Sequence, residues 1–318
     1  MRPIIRLSRR KPMKEIGPPV NSQYPRVAIL MTVYNAAAYV RESIDSLTAQ
    51  TFPDWELIAV DDGSTDASLS VLKEFSDARI RIFPLEKNVG RTTALRFAFD
   101  QVRSEYIAVL DADDISSPDR LARQIDFLDQ HPDVALVASW ARYIDAQGKV
   151  FGEFKPPVNE CELLDCLGWN NPIVHSSAMY RRKLAEEVGG YPSDIVWAQD
   201  FGLILALAQR YNIAMIGDYL CQLRILTSSL TRSLSNQILV ANETLELFRR
   251  AASMVPLSAR GCRLNRRSIA IAEIKLGLVT LRNKSIFAGL KLMIHGVFFS
   301  PSTLWSNGPV RRFFGAEF

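Results

Sequence analysis

The sequence predicts an α/β fold: a mostly parallel sheet flanked by helices, with a helical C-terminal extension. Three observations carry this. Short, continuous apolar runs, Val27-Ala28-Ile29-Leu30-Met31 and Tyr106-Ile107-Ala108-Val109, suit strands buried on both faces. Between such runs lie segments whose apolar residues recur at helical spacing, and that alternation marks βαβ units. Polar clusters then stand directly after the runs: Val33-Tyr34-Asn35, Asp61-Asp62 and Asp111-Ala112-Asp113-Asp114. In parallel sheets ligands bind beyond the carboxyl ends of the strands, so these clusters should converge on one crevice.

The elements follow in order. After the first strand, Asn35 is placed to cap a helix whose Val40, Ile44 and Leu47 fall at i, i+4 and i+7. Glu56 to Val60 is the second strand, and it ends at Asp61-Asp62-Gly63-Ser64-Thr65-Asp66, a turn rich in capping residues. A helix with Leu69 and Leu72 inward comes next, then a strand from Arg79 to Phe83. Another helix presents Leu95, Ala98, Phe99 and Val102, and leads to strand 106–110. Ser117-Pro118 reads as cap and first turn of a helix with Leu121, Ile125 and Leu128 inward; Val134 to Ala138 is a further strand. Beyond this the pattern is less regular. A polar and aromatic loop runs from Gly168 to His175, and Trp197-Ala198-Gln199-Asp200 precedes a helix from Phe201 to Arg210. From about residue 236 the chain reads as helical and basic, with Ile286, Leu290, Met293, Ile294 and Val297 in a stripe.

Composition narrows the class. An apolar fraction of 48% and a charged fraction of 23% belong to a globular protein with a real core. Four cysteines (Cys161, Cys166, Cys221, Cys262) lack metal or disulfide-scaffold spacing and read as reduced thiols of a cytosolic protein. With three histidines, a histidine-built zinc site is not expected. Charge is segregated: residues 1–26 carry +6, residues 27–248 carry −12 and residues 249–318 carry +10. An acidic body excludes a nucleic-acid face, while basic ends suit peripheral contact with an anionic membrane surface, or serve solubility alone. Residues 1–25 read as a flexible basic leader with no apolar signal-peptide core, and no run of about 18 apolar residues predicts a membrane span.

The carboxylates Asp111, Asp113 and Asp114 stand within four residues. At about 4 Å, like charges cost about 4 kcal/mol in a protein-like dielectric. A divalent cation relieves that cost, and oxygen-only ligation suits Mg²⁺ or Mn²⁺ shared with substrate phosphates. A solvated acidic turn is the plainer account of the same residues.

In linear order, Met31-Thr32-Val33-Tyr34-Asn35, Asp61 to Asp66, Lys87-Asn88-Val89-Gly90 and Asp111 to Asp114 resemble the family 2 glycosyltransferases of GT-A fold. The resemblance is strong over residues 26–140 and looser to about 232. It implies a GT-A-type, Rossmann-like domain at 26–235, with a nucleotide-binding half at 26–140 and an acceptor half at 141–235. By their own pattern, residues 236–318 read as a basic helical region whose stripe packs in the core or, with Phe298-Phe299 and Arg311-Arg312-Phe313-Phe314, meets the membrane interface. By the same resemblance Thr32 and Tyr34 contact the donor base and ribose, and Asp62, with Asp61 beside it, accepts from a uracil ring nitrogen. Asn88, Gly90 and Arg91 border the donor; Asp111 meets the ribose side, and Asp113 or Asp114 ligates the metal, Mg²⁺ or Mn²⁺.

Asp200 falls at the family's acidic position before a helix, where it implies a general base for the acceptor hydroxyl and inversion at the anomeric carbon; a helix cap is the bland alternative. His175 matches a histidine on the acceptor side, and Trp169 and Trp197 are candidates to stack on a sugar face or to pack in the core. One departure stands out: where relatives carry Arg-x-His reaching the metal or diphosphate, this chain has Arg224-Ile225-Leu226. Ser228, Ser229 or Arg232 would then help hold the diphosphate. The expectation is an inverting, metal-dependent enzyme moving a sugar from a nucleotide sugar, most simply a UDP-sugar. Its acceptor would be a glycan or lipid-linked glycan of the cell surface, met at the cytoplasmic face of the plasma membrane. A sugar-phosphate nucleotidyltransferase and a non-catalytic nucleotide-sugar-binding partner are the alternatives.

Overall fold

A computed structural model describes residues 23–226 and 234–283. The expected alternation is present: β1 (Val27–Val33), α1 (Val40–Thr48), β2 (Trp55–Asp61), α2 (Ser68–Lys73), β3 (Ile80–Pro84), α3 (Arg91–Asp100) and β4 (Tyr106–Val109). Then come β5 (Ile115–Ser116), α4 (Arg120–Gln130), β6 (Val134–Ile144), β7 (Val150–Phe154) and α5 (Glu160–Leu167). A 3-10 turn (His175–Ser177), β8 (Met179–Arg181), α6 (Arg182–Glu187), α7 (Gln199–Arg210), β9 (Asn212–Arg224), α8 (Leu234–Met254) and α9 (Ala259–Asn283) complete it.

The strands form one sheet in the order β3-β2-β1-β4-β8-β6-β9-β5, with β7 on β6. The motif-bearing half, β3-β2-β1-β4, is parallel throughout. The second half adds antiparallel β8, β7 and β5 around the parallel pair β6 and β9, so the sheet as a whole is mixed.

Alternation along the strands sends side chains to two cores. Ala28, Leu30, Ile58, Val60, Ile107 and Val109 meet Ala94, Leu95 and Ala98 of α3 on one face. Val27, Ile29, Met31, Leu57 and Ala59 meet Val40, Ile44 and Leu47 of α1 and Leu121, Ile125 and Leu128 of α4 on the other. Each fully buried Leu or Ile contributes roughly 1.5–3 kcal/mol, which explains why these runs lack polar residues. Leu245, Phe248 and Ala251 of α8 and Ile269 and Leu276 of α9 join the first core, so the described C-terminal helices pack onto the sheet domain.

Two local expectations are corrected. Asn35 does not cap α1: at φ 51° its Oδ1 accepts the Thr65 N–H at 2.8 Å, and the N–H groups of Ala36 and Ala37, in the turn that precedes the helix, go to Ser68 and Asp66 at 2.8 and 3.1 Å. The helix expected at Ser117-Pro118 begins at Arg120, after a turn closed by Arg120 N–H on the Ser117 carbonyl. The less regular second half proves well ordered, because long β9 and short β8 are covered by neighbours rather than announced by periodicity. Among the described residues no helix is long and apolar enough to cross a membrane. The stripe at 286–297, the basic tail beyond it, residues 1–22 of the leader, and Ser228, Ser229 and Arg232 lie outside the described residues.

Candidate active site

The parallel strands deliver their C-terminal ends side by side, with Val33 level with Asp61 and Asp61 level with Pro84. Thr32 is half-buried and Tyr34 exposed at the rim. Asp62 is buried; its Oδ1 accepts from Val89 N–H at 2.7 Å and its Oδ2 from Gly90 N–H at 3.0 Å. Burial raises its pKa, against those two bonds. Both oxygens expected at a uracil ring are thus occupied in holding the β3–α3 loop. The neighbouring Asp61 is buried too, its Oδ2 taken by Ser64 N–H at 3.3 Å, while its Oδ1 has no partner. The Asp61–Asp62 pair therefore presents one buried acceptor that wants a donor.

The loop itself runs through exposed Asn88 to Gly90, whose φ of 89° only glycine adopts freely; no atom lies within 4 Å of where its Cβ would be. Gly63 is tighter. At φ 65°, a Cβ there would meet the backbone of Lys87 and Asn88 at 2.4 and 2.5 Å. Gly63→Ala is expected to lose about 1–3 kcal/mol of stability from the φ alone. It should also push the Lys87–Gly90 loop outward, giving a lower melting temperature; a variant that melts like the parent would exclude this close approach.

Arg91, the first residue of α3, is the hub. Its Nη2 donates to both Asp111 oxygens at 2.6 and 2.7 Å, and lies 3.3 Å from His175 Nδ1. With Gln199 in the amide orientation that pairs both its ends, Arg91 Nε donates to Gln199 at 3.2 Å. Its side chain remains 45% exposed, so a ligand's oxygens can reach it. Burial works against ionisation of Asp111, but Arg91 outweighs it and holds the carboxyl below the usual range. His175 is buried, and that burial lowers its pKa despite nearby Asp200 and Asp111. Since Arg91 can only donate, Nδ1 accepts and Nε2–H donates to the Tyr191 hydroxyl at 2.9 Å, which meets Tyr180 at 3.0 Å. The expected acceptor-side histidine thus lies behind Arg91, buttressing it.

The three clustered carboxylates separate by environment. Asp111 faces Arg91, and its own N–H donates to Ser176 Oγ at 3.0 Å. Asp113 is half-buried without a side-chain donor of its own; burial, then Asp111, push its carboxyl up to about 6. Asp114 is only 1% exposed, with one oxygen accepting from Ser176 Oγ and the other from Arg224 N–H at 2.8 Å. Burial, then its two acidic neighbours, push Asp114 well up. Of the two expected metal ligands, Asp114 is therefore turned to the protein interior, and Asp113 is left with unspent oxygens.

Arg224 clamps the turn: Nε donates to the Asp113 carbonyl at 2.9 Å, Nη1 to those of Asp145 and Ala146 at 2.9 and 3.2 Å, and Nη2 to Glu42 at 2.6 Å. Beneath, fully buried Arg120 donates to the Val109 and Ala178 carbonyls at 2.9 and 3.1 Å. These cations offset the acidic cluster.

Asp200, in the first turn of α7, caps nothing; its Oδ2 accepts from Asn171 Nδ2 at 3.0 Å. Its charge acts on Arg91, His175 and Tyr191, which places it in the same electrostatic neighbourhood as Asp111. The two tryptophans part company. Trp197 adjoins Asp200 with its indole N–H buried. Trp169, 38% exposed, lines a separate cleft of about 280 Å³ with Phe154, Lys155, Pro156, Asn170 and Arg260. The structure thus brings Asp111, Asp113, Arg91, His175 and Asp200 together, ties Asp62 to the loop that borders them, and sets Trp169 apart.

Ser176, Tyr191, Gln199, Arg120 and Arg224 were not singled out from sequence as site residues. Ser176 and Gln199 adjoin residues that were, and Arg224 opens the departing Arg-x-Leu; buried Arg120 had no sequence signal.

This mixed sheet with flanking helices and a helical C-terminal part matches the fold of GT-A-type proteins of known structure. The Pyrobaculum calidifontis mannosyltransferase PcManGT, solved in complex with GDP-Man and Mn²⁺, superposes with TM-score 0.59 at 19% identity, over 90% of this chain and 89% of that one. S. aureus TarS 1-349 in complex with UDP-GlcNAc superposes with TM-score 0.58 at 17% identity, over 88% and 92%. In sequence, the uncharacterized glycosyltransferase MJ1057 of Methanocaldococcus jannaschii is 32% identical over 207 residues, 63% of this chain and 71% of that protein. The putative teichuronic acid biosynthesis glycosyltransferase TuaG of Bacillus subtilis is 36% identical over 106 residues, 33% of this chain and 42% of that protein. The family described as glycosyl transferase family 2 matches residues 28–189, about half of the chain, and the chain belongs to it. It is a glycosyltransferase.

Proposed function

We propose that this enzyme transfers a sugar, with inversion, from a nucleotide sugar, most simply a UDP-sugar, to a glycan or lipid-linked acceptor in cell-surface polysaccharide synthesis. The observation that carries this reading is the Arg91–Asp111 pair at the strand ends, with Arg91 also bonded to Gln199, the neighbour of Asp200 on α7. The nucleotide-sugar complexes of the structural neighbours support the donor class, and the teichuronic acid relative supports the acceptor class. The basic charge of both chain ends supports peripheral work at an anionic inner membrane face.

In this reading residues 26–140 hold the donor. Thr32, Tyr34 and the unpartnered Asp61 oxygen take the base and ribose, Asn88 and Gly90 border them, and Arg91 meets the diphosphate. Asp200 accepts the proton of the acceptor hydroxyl as that oxygen attacks the anomeric carbon, and the nucleoside diphosphate leaves on the opposite side. Asn171 fixes the Asp200 carboxylate by its 3.0 Å bond.

The donor set fits a hard divalent cation. Among the described residues no cluster of three metal-binding side chains stands ready, yet such ions commonly take one or two carboxylates and complete their shell with substrate phosphates and water. Asp113, with unspent oxygens, would hold Mg²⁺ or Mn²⁺, while Asp111, both of whose oxygens accept from Arg91, would meet the ribose side. When bound, the ion would neutralise charge on the departing diphosphate.

The test is calorimetry with UDP. Mn²⁺ is expected to tighten binding at least about tenfold, or ~1.4 kcal/mol. Chelation should reverse that gain and Asp113→Asn should lack it. A screen of UDP-sugars and GDP-mannose for nucleotide release then identifies the donor. UDP binding indifferent to Mn²⁺ would sink the metal assignment, and absence of turnover with every donor would favour a binding module.

A further inference from the structure

Asp200 sits two residues beyond Ala198, the N-cap of α7, and that N-terminus has no capping side chain of its own. The N–H groups of the segment that leads into it, up to the N-cap, are satisfied from another part of the chain. Glu243, in the second turn-pair of α8, accepts from Val196 N–H with Oε1 at 2.8 Å, and from Trp197 and Ala198 N–H with Oε2 at 2.8 and 3.2 Å. From the opposite side Thr92, next to the hub Arg91, donates its hydroxyl to the carbonyls of Ile195 and Val196 at 3.0 and 2.9 Å. Gln199 closes the arrangement, its amide donating to the Val196 and Trp197 carbonyls at 3.2 and 3.3 Å while it accepts from Arg91. Phe201 of α7 packs edge-on against Phe248 of α8 at 6.2 Å. The segment before Asp200 is thus clamped between the donor-side helix α3 and the C-terminal helix α8, which lies beyond the family match at 28–189.

We propose that Glu243 is a positioning residue for Asp200: its carboxylate gathers three consecutive N–H groups and so sets where α7 begins and where its first-turn carboxylate stands. The inference rests on the reading of Asp200 as general base. Three charge-assisted bonds on one short segment are a strong constraint, and a misplacement of about 1 Å can cost up to about a hundredfold in rate. The α8 helix is then part of the catalytic unit rather than an appendage to it.

The experiment uses the full chain with Glu243→Gln, which keeps the shape and removes one of the two acceptors. The readouts are UDP release from UDP-N-acetylglucosamine, UDP-glucose and GDP release from GDP-mannose, UDP affinity, and hydrogen exchange of the peptide spanning 195–203. The expected result is a fall in kcat of about tenfold to a hundredfold, donor KM and UDP affinity within about twofold, and faster exchange confined to that peptide. Glu246→Gln is the control, because among the described residues Glu246 on the same helix pairs with Arg250 alone, at 3.1 Å; it should leave kcat unchanged. If Glu243→Ala fails to fold, Glu243→Gln still decides. An unchanged kcat, an unchanged exchange rate, or an equal loss in Glu246→Gln overturns the proposal. A wild type inactive on all three donors, or an Asp200→Asn variant as active as wild type, overturns instead the reading on which it rests.

Discussion

Asp200→Asn is expected to abolish transfer while UDP binding persists. The amide matches the carboxylate in shape, and its carbonyl oxygen can still accept the Asn171 bond seen at 3.0 Å. What disappears is the ability to take the acceptor's proton, and general-base catalysis is commonly worth about 10²–10⁴-fold. The strand ends of β1, β2 and β4 are untouched by the change, so on the proposed reading calorimetric UDP affinity should hold. Nucleotide release in the presence of acceptor, compared with UDP affinity in the same preparation, is the measurement. Transfer at the wild-type rate would remove Asp200 from the mechanism.

Arg224→Ala is expected to have the largest effect on stability. The side chain is only 1% exposed and serves the Asp113, Asp145 and Ala146 carbonyls as well as Glu42. The Glu42 end is half open to water, so the ion pair itself counts for little. The cost comes from the buried guanidinium's lost bonds to the half-buried Asp113 and Asp145 carbonyls and from Asp114, whose bond to Arg224 N–H depends on the strand staying in place. Two or more lost charge-assisted bonds, at roughly 1.5–3 kcal/mol each, put the cost at about 3–5 kcal/mol. At about 2–4 °C per kcal/mol for a domain of this size, the melting temperature should fall by roughly 6–20 °C. Arg224→Lys should recover only part of this, because an ammonium cannot fork across several carbonyls. Thermal unfolding of the two variants decides the matter, and a melting temperature within a degree or two of wild type would show that the clamp contributes nothing. In this chain the arginine of Arg224-Ile225-Leu226 holds the backbone of the acidic turn, which gives the motif a purpose without its histidine.

Much of the donor side was legible. The runs at 27–31, 56–60 and 106–109 are buried on both faces, and only such strands need be apolar at consecutive positions. The polar residues that end them therefore had to lie at one edge of the sheet. The position of Asp200 at the start of a helix was legible from the helical spacing after it, while its reading as a base rests on the family resemblance. The second half was harder to read: β8 is three residues long, and β9 is shielded by β6 and β5 rather than marked by its own alternation.

The sequence by itself determined the α/β order of the first half, the acidic strand ends and the charge division between body and ends, because periodicity and composition are properties of neighbouring residues. Only the tertiary structure decided what each carboxylate does. Asp62 binds a loop 27 and 28 residues away, Asp114 binds Ser176 and Arg224 at separations of 62 and 110, and Glu243 reaches back 45 to 47 residues to the start of α7. The physical reason is that a carboxylate's role depends on which donors and charges surround it after folding. Those arrive from distant strands and helices whose packing no local pattern records.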